Sequence, residues 1–283
     1  MRLISALVFG GFLMSACTSP SKVSEKEVAA AKPIHVIGHR GAAAYAPENT
    51  LPSFNKAFSI GLYEVELDIQ MSKDGKIVLF HDDVLEKKTA LKGRVRDYDW
   101  AELKNADIGT WFDRERGIPF HKYAGTKLNL LTDLFDTYGK QFYYHVEIKT
   151  DDPRLPAAII SLLKERDLVG QFIITSFYKE QLVRIHELEA SFPLCYLIDD
   201  QKYEKDVAAA ISESKKLGFN QVAVRAPVMS KDHVDQAAVL GLRIRGWGVK
   251  SKEDMDRVLA MGAEGMTIDW PDWLVRRILQ KNY

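Results

Sequence analysis

Short β-branched or apolar runs recur along most of the chain, separated by stretches of helical periodicity, and no other feature restricts the fold as strongly. The runs are HVIGHR (35–40), YEVELDI (63–69), YYHVEIK (143–149), FIITSF (172–177), LCYLI (194–198), QVAVRA (221–226), LRIRGWGV (242–249) and GMTIDW (265–270). Between them lie patterns such as LPSFNKAFSIG (51–61), AAIISLLKERDL (157–168) and VAAAISESKKLG (207–218). Strands alternating with helices imply a parallel sheet joined by crossovers. Eight such units close a barrel, and 283 residues without a mid-chain linker rich in Pro, Gly or Ser suit one domain of this kind. The expected class is therefore α/β, a (β/α)8 TIM barrel over 34–283. The stretch at about 84–135 lacks clean periodicity and reads as a loop-rich insertion or lid over one barrel face.

The period of two along a strand assigns the faces. Val65, Leu67 and Ile69 share one side of YEVELDI, and Glu66 and Asp68 the other; Val146 and Ile148 oppose His145, Glu147 and Lys149. The outer face of a barrel strand packs on apolar helices, so the carboxylates point inward, near the C-terminal mouth where barrel enzymes keep their chemistry. The run KIVLFHD is left over. Ser72-Lys73-Asp74-Gly75 signals a hairpin, so 70–82 reads as an antiparallel arm; folding about Asp74-Gly75 would set Asp68 opposite His81. An EF-hand is excluded, because Lys73 stands at its glycine position and Gln70 and Ser72 at its third and fifth.

Glu66, Asp68 and Glu147 make an all-oxygen set suited to one hard divalent cation, Mg2+ or Ca2+, without which they would repel one another. His39-Arg40-Gly41 ends the first run. Arginine binds phosphate bidentately, and histidine titrates near the working pH of most enzymes. Two histidines, His39 and His81, beside a cation and an arginine fit phosphoryl chemistry, one removing a proton and the other supplying one. His35, His121, His186 and His233 read as structural, and His145 as a hydrogen bonder deeper in the barrel. Thr50 with Pro52 reads as a helix start.

HRGAAAYAPENT, ELDIQMSKDGKIVLFHD, VEIK, ITSF, GWGV and IDWP, in this order, resemble the glycerophosphodiester phosphodiesterase family over about 34–280. The resemblance implies a barrel enzyme that uses a divalent cation to hydrolyse glycerophosphodiesters, such as deacylated phospholipids, to glycerol 3-phosphate and an alcohol. It implies His39 and His81 as the acid/base pair and Glu66, Asp68 and Glu147 as metal ligands. Arg40 and Lys149 match phosphate-holding residues, and Glu48 and Asn49 match the PENT motif near the substrate. Trp247 matches an aromatic of the pocket, with core packing as its other reading. Two departures stand out. Thr175-Ser176 replaces a serine pair, and Arg225-Ala226-Pro227 replaces Asn-Pro, so that Arg225 either alters the accepted head group or pairs with an acid. Water or the substrate's own glycerol hydroxyl could be the nucleophile. The rival readings are a phospholipase-like lyase that stops at a cyclic phosphate and a non-catalytic lipid-anchored binding protein.

The first residues differ from the rest. Arg2 precedes an apolar run, LISALVFGGFLM (3–14), too short to span a bilayer, and then Ser15-Ala16-Cys17. This resembles a bacterial lipoprotein signal (1–16), with Met14 where leucine is usual. It implies cleavage before Cys17, lipid on its thiol and a polar tether over 17–33; the other reading is a plain secretory signal. The expected location is the cell envelope, lipid-anchored on the periplasmic side, and Thr18, not aspartate, after the cysteine favours an outer membrane. The net charge is zero, so no basic excess points to nucleic acid. Cys195, in PLCYLI, reads as buried, leaving the mature chain without a disulfide. Gly246 and Gly248 lack a third glycine, and no Walker A, GxSxG or CxxC pattern occurs.

Overall fold

The computed structural model describes residues 33–202 and 205–281. The signal at 1–16, Cys17 and the tether as far as residue 32 lie outside the described residues. Among the described residues nine strands form one sheet: β1 (His35–Gly38), β2 (Glu64–Met71), β3 (Ile77–Leu79), β4 (Tyr143–Ile148), β5 (Phe172–Ser176), β6 (Leu194–Ile198), β7 (Gln221–Arg225), β8 (Arg243–Trp247) and β9 (Gly265–Ile268). Eight are parallel, and the sheet closes because β1 pairs with both β2 and β9. Helices fill the crossovers, among them Leu51–Ile60, Leu155–Glu165, Lys179–Leu188, Val207–Lys216, Lys231–Val239, Lys252–Ala260 and Pro271–Lys281. The fold is the expected (β/α)8 barrel.

The core sits between barrel and helices. Val65, Leu67 and Ile69 are fully buried in the same cluster as Phe54 and Ala57 of the first helix. Truncating such a side chain costs about 2–5 kcal/mol, so the outer face of β2 has one acceptable orientation. A one-residue slip would drive Glu66 and Asp68 into that apolar layer. The β2–β4 register sets Asp68 beside Glu147 and Glu66 beside His145. Strand pairing therefore brings two carboxylates together before any side-chain preference acts.

The arm is present, but its register corrects the expected one. Ile69 faces Leu79, Gln70 faces Val78 and Met71 faces Ile77. Lys73-Asp74-Gly75 forms a three-residue loop, with Ser72 N–H donating to Lys76 C=O at 2.9 Å. The Ser72 hydroxyl accepts from Lys76 N–H at 2.9 Å and donates to Asp74 at 2.6 Å, which favours this loop over a two-residue turn. Gly75 takes φ +81°, the left-handed position such a loop needs. Asp68 consequently faces Phe80, whose N–H donates to Asp68 C=O at 3.1 Å, and His81 comes one residue later.

The 84–135 region is not a loose lid. Short helical turns at Leu85–Lys87 and Val95–Asp97 and a helix at Trp100–Leu103 pack around Leu85, Val95, Leu103, Ile108 and Leu128. Val78 and Phe80 of the arm belong to the same cluster. Another helix, Leu131–Tyr138, begins inside the expected loop and ends beyond it. Leu79 N–H donates to Asn129 C=O at 2.9 Å, and Val78 bridges Leu130, so the arm's open edge is covered. Periodicity missed this satellite core because its apolar residues come from short turns and not from one long face. Thr50 does stand at the start of its helix, yet its hydroxyl donates to Pro47 C=O and does not cap the turn.

Candidate active site

The site is built from the strands themselves and from the loops at their C-terminal ends. After β1 the chain turns sharply: Arg40 has φ +50° and Gly41 φ +90°. A Cβ at Gly41 would sit 2.6 Å from Ser53 Oγ and 2.7 Å from the Ser53 backbone carbon, so only glycine fits. This turn aims Arg40 across the mouth. Its backbone N–H donates to Glu66 Oε2 at 3.0 Å, and its guanidinium lies 2.8 Å from Glu48 and 3.1 Å from Asp68.

Glu66, Asp68 and Glu147 converge, each buried and offering an oxygen within 4.8 Å of the others. Lys149 Nζ donates to Glu147 Oε1 at 2.8 Å. Glu66 Oε1 and Asp68 Oδ1, both buried, have no partner. Burial, then the charges of Asp68 and Glu147, push the Glu66 carboxyl well above its ordinary range. Burial opposes ionisation of Asp68 too, but Arg40, foremost among its charged neighbours, holds it low. Two orphaned carboxylate oxygens in an all-oxygen cluster fit a hard divalent cation.

His39 and His81 flank the same cavity, of about 180 Å³, together with Arg40, Glu66, Glu147 and Lys149. Each imidazole has its Nδ1 on a carboxylate. His39 meets Asp269 at 2.5 Å and His81 meets Asp82 at 3.2 Å. Such a bond fixes the tautomer and leaves Nε2 for proton transfer. Burial, then Arg40, lowers the His39 pKa. Burial would raise Asp269, but the His39 hydrogen bond and charge hold it at about 2. Gln70 Nε2 donates to the carbonyls of Phe80 and Asp82 at 3.1 and 2.8 Å, gripping the backbone on either side of His81. The arm thus delivers His81 to the mouth although the register differs from expectation.

Not every expected substrate contact reaches the cavity. Glu48 binds Arg40 and Lys88, and Lys88 Nζ reaches Asp82 at 2.8 Å. Asn49, at φ +57°, spends its amide on Asp68: Nδ2 donates to Oδ2 at 2.7 Å, and Oδ1 accepts Asp68 N–H at 3.1 Å. Both residues hold the arginine and the acid cluster; neither lines the cavity. Trp247 fills both of its readings. It lines the cavity, meets Phe177 edge-on at 5.1 Å and donates from Nε1 to Ile198 C=O at 3.2 Å. Arg225 forms a bidentate pair with Asp200 at 2.7 and 2.9 Å, so it answers to an acid. Cys195 is free and fully buried.

Sequence reasoning missed Asp269, Asp82, Lys88 and Gln70. Asp82 and Asp269 stood in the quoted motifs FHD and IDWP, but a carboxylate beside a histidine has no assignable partner until the strands are placed. Lys88 gave no signal.

Carboxylates, paired histidines and phosphate-type cations at the mouth of a (β/α)8 barrel define a hydrolase of the phosphate-ester kind. The chain belongs to the glycerophosphoryl diester phosphodiesterase family, whose model matches residues 39–273. It is 31% identical over 283 residues to a glycerophosphodiester phosphodiesterase of Bacillus subtilis (strain 168), covering 96% of each chain. A relative of the same name from Caldanaerobacter subterraneus is 29% identical over 250 residues, covering 86% of this chain and 97% of that one. Among solved structures, a phosphodiesterase of Oleispira antarctica in complex with the product sn-glycerol-3-phosphate superposes with a TM-score of 0.74 at 22% identity, covering 86% of this chain and 96% of that one. The Thermotoga maritima glycerophosphodiester phosphodiesterase gives 0.68 at 23%, covering 86% and 98%. At these identities the structures attest the fold.

Proposed function

We propose that the protein is a cation-dependent phosphodiesterase that hydrolyses glycerophosphodiesters to glycerol 3-phosphate and an alcohol. The observation that carries this reading is one cavity flanked by His39 and His81 and lined by Glu66, which clusters with Asp68; each of these two acids keeps a buried oxygen without a partner. Family membership and the names of the relatives support the substrate class. Glu66, Asp68 and Glu147 would hold the cation, which when bound offsets negative charge on the phosphate oxygens. Arg40 and Lys149 bind non-bridging oxygens and orient the phosphorus. One imidazole takes the proton of the attacking hydroxyl as its oxygen bonds to phosphorus. The other gives a proton to the leaving alcohol oxygen as its bond to phosphorus breaks. Asp269 and Asp82 keep both rings in the tautomer this needs. Each transfer is worth about 10²–10⁴ in rate.

The test is release of glycerol 3-phosphate from glycerophosphocholine, with EDTA and with Mg2+ or Ca2+ restored. The expected result is activity abolished by chelation and recovered with one of the two ions. Undiminished activity in EDTA would remove the cation from the reading, and accumulation of a cyclic phosphate would identify the lyase instead.

A further inference from the structure

Three groups at the edge of the mouth, Glu48, His81 and Asp82, offer ligand atoms within 4.8 Å of one another, as a site for a second divalent cation would. That place is already taken. Lys88, 9% exposed, brings its Nζ to Glu48 Oε1 and to Asp82 Oδ2, the latter at 2.8 Å, and lies 4.8 Å from the centre of the Trp111 ring. An ammonium has three donors, and two carboxylates and the face of a ring surround this one. The insertion fixes its approach. Lys88 N–H donates to Leu85 C=O at 3.1 Å, Leu85 is fully buried in the satellite core, and Trp111 stands on the helix Gly109–Arg116. Charges alternate on both sides of the lysine. Asp82 Oδ1 meets His81 Nδ1 at 3.2 Å, Glu48 meets the Arg40 guanidinium at 2.8 Å, and Arg40 meets Asp68 at 3.1 Å. Burial would raise both acids, but Arg40 and then Lys88 hold Glu48 low, and the hydrogen bonds to His81 and Lys88 hold Asp82 low. Lys87, on the exposed side, lies 3.7 Å from Asp82.

Building on the phosphodiester reading of the mouth, we propose that Lys88 is a positioning residue that stands in place of a second cation, holding Asp82 against His81 and Glu48 against Arg40 from one fixed point. Without a positive charge between them the two acids would repel, and each would turn from its partner. A metal ion at this place would draw His81 in as a ligand and away from proton transfer. The ammonium holds the acids and leaves the imidazole on Asp82. Because the lysine is part of the chain, this support does not depart with an exchangeable ion. The 84–135 insertion thus serves the mouth by delivering one buried charge, which acts on the phosphate-binding side through Arg40 and on the proton-transfer side through His81.

The test follows Mn2+ binding by equilibrium dialysis without substrate, beside thermal unfolding and kcat for release of glycerol 3-phosphate from glycerophosphocholine. It compares wild type, Lys88→Ala, Lys88→Met and Lys87→Ala. Lys88→Ala vacates the place and should bind one Mn2+ more than wild type. Its kcat should fall on the order of 10–100-fold and recover in part at Mn2+ concentrations that already saturate wild type. Lys88→Met fills the space without charge, so it should lose kcat to the same degree and show neither the added ion nor the recovery. Lys87→Ala removes only an exposed cation and should stay within about threefold of wild type. General damage to the insertion lowers the unfolding temperature and creates no ion site. The inference is overturned if Lys88→Ala binds no further ion, or if Lys88→Met keeps kcat near wild type; the Lys88→Met result decides alone should Lys88→Ala not fold. An equal loss in Lys87→Ala would overturn it too, since a surface charge would then do as well. Failure of the functional reading shows separately, as wild type that releases no glycerol 3-phosphate, and the dialysis comparison remains readable in that case.

Discussion

Glu64 and Glu66 are two residues apart on the same face of β2, and their environments are opposite. Glu64 lies in the lower layer of the barrel with both oxygens engaged, one by His35 and one by His145 at 2.8 Å. Burial would raise its pKa, but the bonds to His145 and His35 outweigh this and hold it at about 2. Glu66, one layer higher, keeps an oxygen without a partner and is pushed upward by burial and neighbouring acids. The lower carboxylate is completed by the fold. The upper one is left incomplete, and that incompleteness is what a ligand can use. Barrel architecture separates stability and chemistry in this way, along each strand.

The comparison can be broken most severely at the upper layer. His39→Ala or His81→Ala should lower kcat by about 10²–10⁴ while the melting temperature stays close to wild type. Turnover and thermal unfolding on the same samples check this, and near wild-type turnover in both variants would end the two-histidine proposal.

Neutralising the two glutamates should separate them. Glu66→Gln should abolish cation-dependent activity yet leave the cation-free protein as stable as wild type, because it removes like-charge repulsion. Glu64→Gln should retain much of the activity and lose on the order of 1–3 kcal/mol, because the buried His145 loses its charged acceptor. Denaturant titration with an activity assay decides between them; the same phenotype in both variants would erase the distinction.

The smallest effect is on pH dependence. Burial, opposed by the hydrogen bond that His145 donates to Glu64, lowers the His145 pKa from 6.5 to about 4. A histidine with a depressed folded pKa contributes stability that is whole above pH 6.5 and is lost as pH falls toward 4. The Glu64 contribution is whole above pH 4.5 and declines toward about 2, extending the same acid limb. Unfolding free energies between pH 7 and 4 should fall in wild type and flatten in His145→Asn.

Much of the site was legible because strand periodicity is local. Alternation alone placed Glu66, Asp68 and Glu147 inside and Val65, Leu67 and Val146 outside, and the buried apolar partners agree. The hairpin register was not legible. Asp-Gly is compatible with two- and three-residue loops, and the Ser72 hydroxyl decided for the longer one. The contacts of the PENT motif were not legible either: Glu48 holds Arg40 and Asn49 holds Asp68.

The chain by itself determined the barrel, the inward acids and the two histidines, because these follow from side-chain period and residue chemistry within a few positions. Only the tertiary structure decided which acid each histidine meets, that Lys88 ties Glu48 to Asp82, and that Arg245, which lines the cavity, is buried. Those pairings join residues as far apart as 39 and 269, and closure of the sheet, not any local preference, sets such distances.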